Sequence, residues 1–120
     1  LPGIYVIAKR EYPGQRITCE RDLRRLFEFP LTHTIYTDSR TEAILEYFYE
    51  YQYNDRILQF DAVDIKALRN AYIIANWERL FFLNRVYNVP IPEFLYHPPS
   101  QWRRYAQIGY ENPCLIYEIP

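Results

Sequence analysis

The sequence predicts an α+β domain, with a small mixed sheet of about three strands capped by a cluster of helices. Short β-branched and aromatic runs fall mainly in the first third of the chain, and apolar stripes at helical spacing follow them. The length of 120 residues suffices for one domain whose core needs neither a disulfide scaffold nor a metal.

The first predicted elements lie before residue 38. Residues 3–8 are β-branched and aromatic, which indicates a buried strand, and Pro13 marks a brief edge strand, where proline is tolerated. Apolar residues at helical spacing between residues 23 and 27 predict a short amphipathic helix that stops near Pro30. Residues 34–37 then predict a second short strand.

A longer helix is predicted directly after residue 38. Ser39 and Glu42, three positions apart, form the capping-box pattern that opens a helix. Apolar residues then recur at i, i+3, i+4 and i+7, which predicts the buried face. These residues are Ile44, Tyr47, Phe48 and Tyr51. A fragment of strand is indicated at residues 57–60.

Two more helices are predicted between residues 61 and 87. Asp61 is the expected N-cap of the first and Asn76 of the second. The inward stripe of the first is Ile65, Leu68, Tyr72 and Ala75. The inward residues of the second are Leu80, Leu83 and Tyr87. Near-complete burial is expected for five residues of these stripes, which are Ile44, Phe48, Leu68, Tyr72 and Leu83.

Four prolines between residues 90 and 99 separate these elements from the rest of the chain. The expected division is a core at residues 1–88 and a proline-rich tail at residues 89–120, which packs on the core or on a partner. Within the tail, residues 102–105 indicate a helical turn and residues 115–119 a final strand.

Composition excludes several classes of protein. With 49% hydrophobic residues and a formal net charge of −1, the chain is not typical of disorder, and no overall positive field draws it to nucleic acid or anionic lipid. No apolar run approaches the roughly 20 residues of a membrane span. Cys19 and Cys114 form no C-x-x-C pair. A single long-range disulfide between them would fit a secreted protein, but no leader is visible, so we expect free thiols and a cytoplasmic or nuclear location.

Four stretches, taken in order, are similar to those of a known family. Residues 5–13 look like its opening hairpin with an aromatic–Pro pair, and residues 15–27 like its first helix. Residues 34–49 look like its third strand and a helix ending in an aromatic-x-Tyr signature, and residues 68–87 like its last helical pair. In these stretches the chain resembles the BTB/POZ superfamily, which includes elongin C and the channel tetramerisation domains. The long N-terminal dimerisation helix of other members is missing, so the compact core is the nearer relative.

The resemblance implies protein–protein interaction without a cofactor. Cullin-binding members use a hydrophobic-x-Glu motif after the first helix together with the signature tyrosine. The matching residues in this chain are Leu26, Phe27, Glu28 and Tyr49. The implied function is a non-catalytic adaptor of the cullin-type ubiquitin ligase kind. The alternative is a homo-oligomerisation domain of a larger protein.

Helical geometry adds a second expected contact residue. Tyr47 and Tyr51 share one face of their helix and are expected in the core. Tyr49 and Tyr53 are then turned outward, exposed or half-exposed, where tyrosines are enriched at interfaces.

Two other function classes have weaker support in the sequence. Residues 102–105 interleave basic and aromatic side chains, as single-strand nucleic-acid binders do. Cys19, His33 and Asp38 are the best triad-like set, but nothing local activates the thiol and no glycine-rich loop is visible. His33 and His97 lack metal-ligand spacing. We therefore predict no enzymatic activity, no metal site and no cofactor.

Overall fold

A computed structural model describes Leu23, residues 32–62 and residues 64–120. Within these ranges, a mixed five-stranded sheet of order β2-β1-β3-β5-β4 carries three α-helices. The strands are β1 (Thr34–Thr37), β2 (Ile57–Gln59), β3 (Ala71–Asn76), β4 (Arg103–Ile108) and β5 (Cys114–Ile119). The helices are α1 (Ser39–Phe48), α2 (Trp77–Tyr87) and α3 (Glu93–Tyr96). The predicted α+β class is confirmed, with five strands instead of about three.

Several sequence predictions concern the first third of the chain. The strand at residues 3–8, the edge strand at Pro13 and all of the short helix except Leu23 lie outside the described residues. Leu23 itself is fully buried.

One half of the sheet is parallel. β1 pairs with β2 in the register Ile35↔Ile57 and with β3 in the register Ile35↔Tyr72. The chain passes from β1 through α1 to β2, and then returns to β3 on the other side of β1. The carboxyl ends of these three strands therefore meet at one edge of the sheet.

The other half is antiparallel and is built from residues after 88. β5 pairs with β3 along six residues and also with the edge strand β4, which has an irregularity between Arg104 and Ala106. Residues 89–120, expected as a tail packed on the core, thus supply one interior strand and one edge strand. The helical turn predicted at residues 102–105 is wrong, since most of that segment belongs to β4.

The predicted helix from Asp61 to Ala75 is also wrong. Phe60–Ala62 and Ile65–Ala67 each form a short 3-10 turn, and Ala71–Asn76 form β3. β3 pairs with β1 and β5 along its two edges, and its residues belong to the clusters of buried residues on both faces of the sheet, so its apolar run is nearly continuous. Apolar and polar residues do not alternate along such a run, so the sequence pattern does not identify it as a strand. The helices after residues 38 and 76 and the strands at 34–37, 57–59 and 115–119 are confirmed.

The two faces of the sheet carry separate clusters of buried residues. The cluster on the α1 face includes Leu23, Ile35, Leu45, Tyr49, Ile57, Ile74 and Ile116. The cluster on the α2 and α3 face includes Tyr36, Ile73, Trp77, Leu80, Leu95, Trp102 and Tyr117. Of the five residues expected in the core, Leu68 is buried, whereas Ile44, Phe48, Tyr72 and Leu83 are half-buried.

The inward face of α1 differs from the predicted one. Thr41, Leu45 and Tyr49 point into the core, whereas Tyr47 is 68% exposed and Tyr51 is 60% exposed. The reason is Thr41, whose hydroxyl has buried hydrogen-bond partners and so places a polar residue on the inward stripe. On α2, Leu80 is buried as expected and Tyr87 is exposed.

Candidate binding cleft

A cleft of about 530 Å³ lies at the carboxyl edge of the parallel strands. Residues 37–39 at the end of β1 and residues 59–61 at the end of β2 form one side. The other side consists of Leu80 and Leu83 of α2, residues 89–92, and Phe94 of α3. This volume falls within the usual range for small-molecule sites, and the carboxyl edge is where open α/β sheets bind ligands.

Asp38 ends β1 and caps α1. Its Oδ1 accepts a hydrogen bond from the backbone N–H of Thr41 at 2.8 Å, and its Oδ2 accepts one from the Thr41 hydroxyl at 2.8 Å. A carboxylate is favourable at a helix N-terminus because it satisfies free N–H groups and complements the helix dipole. The α1 terminus that lines the cleft therefore already holds a negative group.

Buried hydrogen bonds join the starts of the two long helices. Asn76 caps α2 by accepting from the backbone N–H of Arg79 at 3.3 Å, and its Nδ2 donates to the Thr41 hydroxyl at 3.2 Å. The Thr37 hydroxyl donates to the backbone oxygen of Ile74 at 2.9 Å, from β1 to β3. Satisfied buried polar groups of this kind fix one arrangement. They hold the first turns of α1 and α2 in place relative to β1 and β3.

Aromatic rings form the base of the apolar wall. Phe60 and Phe94 meet edge-to-face with centroids 5.7 Å apart, and Phe94 meets Trp102 at 5.9 Å. Trp102 in turn lies 5.6 Å from Tyr117 of β5. Because Trp102 and Tyr117 are buried in the core, the two phenylalanine rings are anchored from behind.

The titratable side chains among the described lining residues of the cleft are acidic. Asp38 and the exposed Asp61 line it, and the side chain of Gln59 donates to Glu42 Oε1 at 2.9 Å. Burial, with a smaller contribution from Glu42, raises the pKa of Glu46 one turn further along α1. The lining formed by the described residues includes no Lys, Arg or His.

The partner-binding residues expected from the sequence do not meet at this cleft. Leu26, Phe27 and Glu28 lie outside the described residues. Tyr49, expected on the surface, is only 1% exposed, because it follows Leu45 by one helical turn on the inward stripe. Its ring packs edge-on against Tyr53, which is half-buried, at 5.6 Å.

The triad-like set is not assembled in the described residues. His33 precedes β1 and stacks near Tyr72 at 5.1 Å, whereas Asp38 follows the opposite end of the same strand. Cys19 lies outside the described residues. Cys114 is disulfide-bonded, so the expectation of a free thiol there is wrong.

Two further features of the described residues bear on function. They contain no group of three or more His, Cys, Asp or Glu side chains placed to hold a metal ion. None of their helices combines the length and apolarity that crossing a membrane requires.

The cleft was not predicted from the sequence, because residues 61–75 were predicted to form a helix. The available signal was the placement of Asp38 and Asp61, each just after a short predicted strand. If these two strands are parallel, Asp38 and Asp61 lie at the same carboxyl edge of the sheet. The parallel pairing was not predicted, because residues 61–75 were assigned to a helix.

The chain was also compared with known proteins. No protein-family model, curated protein or solved structure matches it. The BTB/POZ resemblance therefore stays a prediction from the sequence.

Proposed function

We propose that this domain is a non-catalytic binding module and that the cleft at the carboxyl edge of β1 and β2 is its binding site. The observation that carries the proposal is the position and lining of that cleft. Two neighbouring parallel strands, β1 and β2, end beside it, and a mostly apolar wall faces a few polar groups.

The hydrogen bonds of Asp38 favour a binding function over a catalytic one. Both of its carboxylate oxygens accept hydrogen bonds from Thr41, so this buried carboxylate is engaged in starting α1. The other carboxylate that the described lining contains, Asp61, is exposed to solvent. A preformed, rigid recess with these groups fits selective binding.

Fragment screening by NMR tests the proposal. Leu83→Trp adds a large ring in the cleft, whereas Val86→Trp adds the same ring on the exposed side of α2 and serves as the control. Fragments that shift the amide signals of residues 59–61, Val89 and Ile91 should lose binding to Leu83→Trp and keep it with Val86→Trp. The proposal fails if no fragment shifts these signals, or if Leu83→Trp binds as well as the control.

Self-association is a second candidate, and a specific observation favours it. Tyr47 and Tyr51 are exposed where α1 ends, and Glu50 and Tyr51 both have positive φ angles, of 55° and 61°. Bulky residues in this region are strained, and such strain concentrates at functional sites. Light scattering after gel filtration should show a multimer that Tyr47→Ala with Tyr51→Ala converts to monomer. A monomeric parent would exclude this candidate.

The adaptor function implied by the BTB/POZ resemblance also stays a prediction. Its proposed motif at residues 26–28 lies outside the described residues, and Tyr49 is buried. Affinity capture with a purified cullin scaffold tests it directly. Binding that survives Glu28→Lys would count against that motif.

The disulfide at Cys114 bears on the compartment. Disulfides persist in oxidising compartments and are rare in the cytosol and nucleus. We therefore propose an oxidising compartment in place of the predicted cytoplasmic or nuclear one, in which we expected both cysteines to be free thiols. Thiol titration of the denatured, unreduced protein purified from its natural source should detect no free thiol. Detection of two would overturn this proposal.

A further inference from the structure

We propose that the disulfide at Cys114 holds the starts of α1 and α2 in place, so that the cleft reaches its binding geometry only in the oxidised protein. This inference rests on the proposed function, because it concerns the regulation of the same cleft. It follows from the position of Cys114, from the buried side chains that connect it to the cleft, and from the effect of a disulfide on the chain.

Cys114 lies at the junction of β3 and α2. It begins β5, and it pairs across the strands with Asn76, the last residue of β3. Residues directly opposite each other in an antiparallel pair have Cβ atoms about 4.5–5.5 Å apart on the same face of the sheet. Beside this pair, the backbone N–H of Trp77 donates to the backbone oxygen of Pro113 at 3.3 Å. Cys114 is therefore placed directly against the residue that caps α2.

Asn76 continues the connection to both helices that line the cleft. Its Oδ1 accepts a hydrogen bond from the backbone N–H of Arg79 at 3.3 Å, one residue before Leu80 of the cleft wall. Its Nδ2 donates to the Thr41 hydroxyl at 3.2 Å in the first turn of α1. That hydroxyl donates to Oδ2 of Asp38, a lining residue, at 2.8 Å. One cross-strand pair and two hydrogen bonds thus connect Cys114 to the lining.

Burial makes this connection sensitive to displacement. The side chains of Asn76, Thr41 and Asp38 are all buried. A buried polar group that moves away from its partner loses a hydrogen bond without gaining one to water, so the members of such a network respond together. A shift of Cys114 away from Asn76 consequently acts on the first turns of both helices.

The disulfide restricts how far Cys114 can move. The sequence contains two cysteines, so a bond within the chain joins Cys114 to Cys19 and closes the long loop between them. Reduction by a dithiol breaks the S–S bond and yields two thiols, while the dithiol loses two electrons and two protons and closes to its own disulfide. The reduced chain lacks the covalent restraint at the start of β5, so local opening at this strand end becomes more frequent.

Oxidation thereby becomes a condition for full binding. A site whose competent arrangement is populated only part of the time binds its ligand more weakly in the same proportion. Because disulfides persist in oxidising compartments, the cleft becomes fully competent only after the chain has reached such a compartment.

NMR spectroscopy of the oxidised and the dithiothreitol-reduced protein tests the inference. The amide signals of Thr41 and Arg79 report the hydrogen bonds to Asp38 and Asn76, and on reduction they should broaden and move towards the positions of an unstructured chain. The amide signals of residues 84–87, at the far end of α2, should stay unchanged. Phenethyl alcohol, an uncharged aromatic probe, should bind the oxidised cleft about threefold more tightly than the reduced one.

Two variants separate the disulfide from other effects of the reductant. Cys19→Ser removes the bond, keeps the Cys114 side chain in its buried cluster, and should reproduce the reduced spectrum without a reductant. Asn76→Ala removes the connecting side chain, so reduction should then change the Thr41 signal by less than about half of the change in the parent.

Three outcomes overturn the inference. The first is unchanged Thr41 and Arg79 signals after reduction. The second is an equal change in the signals of residues 84–87, or unfolding of the whole domain, because the disulfide then stabilises the fold in general. The third is equal affinity of the two forms for phenethyl alcohol, which leaves the cleft a site and refutes only its dependence on the disulfide. A probe that binds neither form counts against the proposed function, and the amide signals alone then decide the inference.

Discussion

Truncation of Tyr49 tests the orientation of α1 and thereby the location of the partner surface. The side chain is 1% exposed within the cluster that contains Leu45 and Ile57, and its ring meets Tyr53 edge-to-face at 5.6 Å. Truncating a buried aromatic residue to alanine costs about 3–5 kcal/mol, of which an edge-to-face pair accounts for about 1 kcal/mol. We expect Tyr49→Ala to lower the free energy of unfolding by this amount, a fifth or more of the stability of a typical domain.

Urea unfolding is the appropriate assay, because the buried Trp77 and Trp102 on the opposite face of the sheet report global unfolding by fluorescence. Tyr47→Ala is the matched control, since Tyr47 lies two residues earlier and is 68% exposed. It should change the free energy of unfolding by no more than about 0.5 kcal/mol. If Tyr47→Ala costs as much as Tyr49→Ala, the inward face of α1 is assigned incorrectly.

Three other predictions follow from buried groups. Asn76→Ala removes the α2 cap and the donor to Thr41, so the free energy of unfolding in urea should fall by about 1–3 kcal/mol, and an unchanged value would refute the network. Cys114→Ala removes the disulfide and should cost about 2–5 kcal/mol by calorimetry; parent-like stability would contradict this. Burial raises the pKa of Tyr72 and of Tyr105, so their contribution to stability is complete below the ordinary tyrosine pKa of about 10 and is lost as pH rises through the raised values. Tyr72→Phe should therefore flatten the alkaline decline in urea midpoint, and an equally steep decline would exclude Tyr72 as a source.

The two long helices could be predicted from the sequence because their N-terminal capping residues are recognisable locally. Asn76 caps α2 as expected, and α1 begins as expected, with Asp38 as its N-cap in place of Ser39. The orientation of α1 could not be predicted, because both of its faces carry large aromatic residues. A buried threonine decides between them, and its hydrogen bonds to Asp38 and Asn76 depend on tertiary contacts.

The sheet and the cleft were harder to predict for a different reason. β3 is covered on both faces, so residues 71–75 lack the alternation that identifies a strand, and Tyr72 and Ala75 also fit helical spacing. β4 carries an irregularity after Arg104 that interrupts its alternation. The cleft depends on β1, β2 and their crossover lying side by side, which is a long-range property of the chain.

The interior position of β5 has a consequence for biosynthesis. β3 can pair with β1 once residue 76 has left the ribosome, but its other edge has no partner until residues 114–119 are made. During that interval a nascent chain exposes an apolar strand edge, which can pair with other chains. Folding of the sheet is therefore completed after translation of this segment, and a chaperone that shields β3 should raise the yield of native protein.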